Sequence, residues 1–137
     1  MSLLEDHLKW LNLHQEATLE PERPIVDPHH HFWPGEQHYL LEDLWLDTHS
    51  GHNIKKTVFI ECSQEFLKTG DIDFAPVGET IFVKKISDEA RKEKHKTQIE
   101  GIVGHVNLLI GPEKTHEVLT SHLKEGGNLF KGIRHAG

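Results

Sequence analysis

The stretch Ile25-Val26-Asp27-Pro28-His29-His30-His31-Phe32-Trp33 decides how this chain is read. Ile25 and Val26 open it as a short strand, and three imidazoles follow where that strand runs out. In extended backbone, alternate side chains share a face. His29 and His31 therefore point the same way and can converge on one divalent metal ion, while His30 points to the other side. Histidine fills 13 of the 137 positions, so neighbouring histidines also arise without function. Two imidazoles alone do not complete the three or four protein ligands of a zinc site. Their place at the end of the first expected strand, directly after Asp27-Pro28, favours a metal site over coincidence.

Outward from this strand the chain alternates between helical and extended patterns. Upstream, Ser2-Leu3-Leu4-Glu5 has the form of a capping box. Leu4, Leu8 and Leu11 recur at helical spacing with Trp10 and Leu13 beside them, predicting an N-terminal helix that packs on something. Pro21 and Pro24 bracket an acidic linker, so residues 1–23 form a helix and linker, and 24–137 the main domain.

Downstream, Tyr39 to His49 reads as a helix stopped by Ser50-Gly51. Thr57 to Cys62 is a second strand, apolar on both faces up to Glu61. A loop over 63–78 leads to a helix from Glu79 to about Lys94. A third strand, Ile99 to Leu108, contains His105-Val106-Asn107. Pro112 suits the first position of another helix, and Phe130 to His135 begins a fourth strand.

Such alternation implies α/β architecture, with parallel βαβ units of roughly 30 to 40 residues and helices covering the sheet. No glycine-rich phosphate fingerprint follows the first strand, which weighs against dinucleotide binding. Polar residues gather at the expected C-terminal strand ends: His29 and His31, Glu61, His105 and Asn107, then Arg134 and His135. A strand must become polar where it meets solvent, but parallel α/β proteins bind ligands at that same edge.

The net charge of −7 argues against nucleic acid as a partner. Lys84, Lys85, Arg91, Lys92, Lys94 and Lys96 are interrupted by Asp88, Glu89 and Glu93, as on a solvated helix face. Cys62 is the single cysteine, which excludes an internal disulfide; at a strand end it reads as a small buried thiol rather than a nucleophile. No stretch reaches the ~18 to 20 apolar residues of a membrane span, and no secretory signal pattern opens the chain. A cytoplasmic protein with no membrane partner is the expectation.

The first-strand motif resembles that of the amidohydrolase-related metal-dependent hydrolases. Ser50-Gly51-His52-Asn53, Val58 to Cys62, Pro76-Val77-Gly78-Glu79-Thr80, Gly101 to His105 and Gly132-Ile133-Arg134-His135 are similar to the branch containing lactone hydrolases. The resemblance spans about residues 24 to 137. It implies a TIM (β/α)8 barrel with its site at the C-terminal mouth and water attack on a lactone or amide carbonyl. It also implies metal ligation by His29 and His31. Arg134 and His135 fall where relatives hold substrate; Glu61 and His105 face the same region without a fixed role. Relatives carry further histidines and a general-base aspartate on later strands. Since such a barrel takes about 250 residues, the expectation is its first four strands alone, an incomplete barrel.

Two classes of function follow. One is a hydrolase of a small lactone or cyclic carboxylate or amide, using zinc or manganese, or no metal. Arg134 would anchor an anionic group of the small-molecule substrate, and a complementary C-terminal half or self-association would close the barrel. The other is an inactive fragment, from a truncated reading frame or a split gene. An open flavodoxin-like sheet binding an anion is a third reading on topology alone, and it leaves the His-x-His unexplained.

Overall fold

A computed structural model describes residues 3–14 and 16–135. In chain order its main elements are α1 (Leu3–Leu11), β1 (Pro24–His30), α2 (Leu41–Thr48), β2 (Asn53–Ile60), α3 (Val77–Ala90), β3 (Gln98–Gly104), α4 (Pro112–Gly126) and β4 (Phe130–Ile133). The four strands form one sheet in the order β1-β2-β3-β4, and every pair is parallel. Each pair is bridged by a helical crossover, as parallel neighbours require.

Register assigns the two faces of the sheet. Successive pairings align Asp27 with Thr57 and, through it, Ile99, and align His30 with Phe59, then Ile102, then Phe130. Paired residues in parallel strands share a face, and this one meets the helices. Phe59, Ile99 and Ile102 pack with Leu44 of α2, Val83 of α3, Phe32 and Leu129. Each large apolar side chain buried there contributes about 1.5–3 kcal/mol. A second cluster, Val77, Val106 and Val118, joins α3 and α4 beyond the end of β3.

The opposite face carries Val26, Val58, Ile60, Gly101, Val103 and Gly132. A Cβ on Gly101 would meet the side chains of Val58 and Lys131, which fixes its direction. Val26 is exposed, and Val58, Ile60 and Val103 are only partly covered. In a sheet of sequential strand order, crossovers of the usual single hand place the helices on one side, and this small, apolar face is the less covered one.

The sequence boundaries shift for local reasons. Asp43 Oδ2 accepts from the Leu40 N–H, so α2 starts at Leu41 rather than Tyr39. Trp45 Nε1 donates to the Thr97 carbonyl at 2.9 Å, pinning α2 beside the start of β3. Helix α3 begins two residues before Glu79. Gly78 permits this, because a Cβ there would come within 2.4 Å of the Glu65 carbonyl, and the 65–67 backbone lies against the first turn of α3. Strand β3 ends at Gly104, so His105 and Asn107 occupy the following loop, not the strand.

The apolar stripe of α1 differs most from expectation. Leu8, Trp10, Leu11 and Leu13 are all exposed, so the described residues leave those four side chains largely uncovered. The capping box at Ser2 lies outside the described residues. Four of the basic residues after Ile81 are ion-paired: Lys84 with Asp88, Lys92 with Glu89, Arg91 with Glu100 and Lys96 with Glu42. Among the described residues, no helix is long and apolar enough to cross a membrane.

Candidate functional site

The C-terminal end of β1 is bent before the histidines. Asp27 Oδ1 accepts from the His29 N–H at 3.0 Å, and Pro28 has no N–H for the ladder. Three β1 steps from Asp27 to His30 therefore oppose two β2 steps from Thr57 to Phe59, a bulge. Beyond it His30 turns into the core, while His29 and His31 converge on the other side.

Their Nε2 atoms lie 3.2 Å apart with the rings at 84°. His31 Nδ1 donates to the Ile60 carbonyl at 2.8 Å, so in the neutral ring Nε2 keeps its lone pair and points at His29. A backbone carbonyl orienting the second ring nitrogen is the usual support for a metal-ligating histidine. An ion held tetrahedrally at about 2.0–2.1 Å from two imidazoles sets their nitrogens roughly 3.3 Å apart, close to what is found. The pair fits two corners of such a site. Among the described residues no group of three or more His, Cys, Asp or Glu is gathered around one point, so the fit is partial.

His30 is 7% exposed, edge-on to Phe32 and Phe59, and neither ring nitrogen has a hydrogen-bond partner. Burial drives its pKa down to about 4, so it is a neutral core residue.

Glu61 follows directly on β2 and is buried. Arg134, just past β4, donates from Nε to Glu61 Oε1 at 2.6 Å and from Nη2 to the Glu61 carbonyl at 2.7 Å. Much of the guanidinium is thus committed within the protein. The Arg134 side chain remains 42% exposed.

His105 Nδ1 donates to the Arg134 carbonyl at 3.1 Å, leaving the Nε2 lone pair of the neutral ring available. His135 is the converse: its Nδ1 accepts from the Leu108 N–H at 3.0 Å, so Nε2 carries the proton. The two rings are 5.4 Å apart. Six of the seven residues singled out at the strand ends, all but Asn107, therefore belong to one string of contacts. It runs from His29 and His31, through the Ile60-Glu61 peptide, to Arg134, His105 and His135.

Two supporting residues lack a signal in composition or spacing. Glu79, in the first turn of α3, is 1% exposed; its Oε1 accepts from the N–H groups of Cys62 and Gln64, while Oε2 has no partner. Burial raises its pKa. It holds the backbone that presents Glu61. His122, fully buried in α4, donates from Nε2 to the His105 carbonyl and accepts from Thr80 Oγ1 on Nδ1, fixing the loop that carries His105. Cys62 is partly buried, and burial with the neighbouring Glu79 pushes its thiol up to about 12, far from a nucleophile's range.

Compared with known proteins, the chain matches no family model, no curated protein and no solved structure.

Proposed function

We propose that this chain forms four strands of a (β/α)8 barrel hydrolase of the amidohydrolase-related type, opening a small lactone or cyclic amide at the C-terminal mouth. One observation carries the reading: ligand-competent nitrogens, an oriented carboxylate–guanidinium pair and two tautomer-locked imidazoles lie in one string across the ends of four sequential parallel strands. The less covered apolar face bearing Val58, Ile60 and Val103 becomes the barrel interior once four further strands close it. Those strands come from further sequence, a complementary half or a second copy.

In the reaction a water oxygen bonds to the carbonyl carbon, the ring C–O bond breaks, and the water's proton ends on the leaving alkoxide, giving a hydroxy acid. His29 and His31 would hold a divalent ion, zinc or manganese, which when bound acidifies water and polarises the carbonyl. His105 Nε2 orients water by accepting from it, and His135 Nε2–H donates to the carbonyl oxygen. Glu61 and Arg134 keep the strand ends aligned. The proton-accepting aspartate that the resemblance implies belongs to the closing strands.

Metal titration and lactone opening test the reading. Saturable 1:1 binding of zinc or manganese, lost in His29→Ala and His31→Ala, supports it. If neither metal binds, and no lactone is opened even with a complementary C-terminal half present, the reading is wrong. A second reading, a non-catalytic α/β piece with weak cation affinity, is favoured by the assembly of only two ligands among the described residues.

A further inference from the structure

Beside the histidine string, between the β2–α3 loop and the loop after β3, lies a cavity of about 260 Å³ lined by Phe66, Ile72, Asp73, Ala75, Pro76, His105 and Asn107. Its wall is mostly apolar, and His105 belongs both to it and to the site. Complete small-molecule pockets run to about 300–1,000 Å³, so this volume suits one ring-sized part of a ligand. Ile72, in the lining, is 80% exposed, and Leu108 and Leu109, which follow Asn107 directly in the chain, are 51% and 87% exposed. An apolar side chain exposed in the lining of a mostly apolar recess offers contact surface to an apolar group of a ligand.

The charges select the occupant. The carboxylate lining the cavity, Asp73, repels an anion, and Arg134 is tied to Glu61. Asn107 Oδ1 accepts from the Leu109 N–H, so its amide N–H groups remain to donate, and His105 Nε2 remains to accept. This lining suits an uncharged group with a carbonyl oxygen next to it.

We propose that this cavity is the specificity pocket of the strand-end site and takes the uncharged phenyl or alkyl substituent of a lactone. The inference rests on the lactone-hydrolase reading for the identity of the reacting group. It reverses the preference for anionic substrates that Arg134 suggests in the sequence.

The full chain, methyl-labelled for NMR, is titrated with γ-phenyl-γ-butyrolactone and separately with 5-oxotetrahydrofuran-2-carboxylate, a lactone of the same ring size bearing a carboxylate. The Ile72 and Ala75 methyl signals are expected to move saturably with the phenyl lactone, which binds about tenfold or more tightly than the carboxylate. Ile72→Ser, at an exposed position, is expected to weaken that binding while leaving the remaining spectrum unchanged. Equal or tighter binding of the carboxylate, silence of Ile72 and Ala75 while other signals move, or no binding of either probe overturns the proposal. Ring opening, assayed in parallel, separates the two ideas. Binding at Ile72 and Ala75 with neither metal binding nor turnover, even with a complementary C-terminal half present, keeps the pocket and sinks the hydrolase. Turnover of the carboxylate with Ile72 and Ala75 silent does the opposite.

Discussion

Arg134 grips Glu61 at two points, Nε to Oε1 at 2.6 Å and Nη2 to the main-chain carbonyl at 2.7 Å, and so ties the end of β2 to the residues after β4 across the intervening β3. Glu61 is nearly buried, whereas Arg134 is partly exposed, so solvent screens only one side of the pair. Removing the cation strands a carboxylate in poor solvent.

Arg134→Ala is accordingly expected to destabilise the fold by about 1–3 kcal/mol. Arg134→Lys should recover little of this, because an ammonium cannot span the carboxylate and the carbonyl together. Urea midpoints with an unchanged slope are the measurement.

His30 makes stability pH-dependent. Its ordinary value of 6.5 applies in the unfolded chain, and burial lowers it to about 4 in the fold. Between those values the unfolded state binds more protons. Its contribution is therefore complete above the higher value and is lost as pH falls toward the lower, by about 3 kcal/mol in full. His122, also lowered by burial, acts in the same direction. Glu79, raised by burial, opposes them as pH falls. His30→Phe removes two buried ring nitrogens without partners and should flatten the dependence seen by urea unfolding at about pH 7.5 and about pH 5.

Glu79 is expected to act through its one bonded oxygen. Glu79→Gln keeps an acceptor for the Cys62 and Gln64 N–H groups and should cost little. Glu79→Ala leaves both donors unsatisfied and should cost about 2–4 kcal/mol. Amide exchange at Cys62 and Gln64 is expected to accelerate in the alanine variant beyond what global destabilisation explains.

The tautomers of the strand-end histidines are directly measurable. Long-range ¹⁵N correlations should place the proton on Nδ1 in His31 and His105 and on Nε2 in His135, as their hydrogen bonds require. Zinc is expected to move the Nε2 resonances of His29 and His31 and leave those of His135 in place.

Much of the fold is legible along the chain because its signals are local. Apolar runs at Thr57 to Ile60 and Ile99 to Val103, broken by helical spacing and by Pro112, mark strand and helix without knowledge of neighbours. The opposite facing of His30 and His31 is legible too, since it needs only the two-residue period of a strand. The commitment of Arg134 is not. Its partner Glu61 lies 73 residues away, and nothing in either neighbourhood selects the other. Glu79 is equally hidden: a glutamate in the first turn of a helix is ordinary, and its burial depends on how the 62–65 backbone folds over it.

The sequence by itself determined the alternation of strands and helices and put imidazoles, a carboxylate and a guanidinium at successive strand ends, because periodicity and turn chemistry act over a few residues. Only the tertiary structure decided which atoms meet: the 3.2 Å approach of His29 to His31, the pairing of Arg134 with Glu61, and the less covered sheet face. The reason is physical. Register, bulges and burial are set by packing between segments far apart in the chain, and hydrogen-bond partners are chosen only after that packing has excluded water.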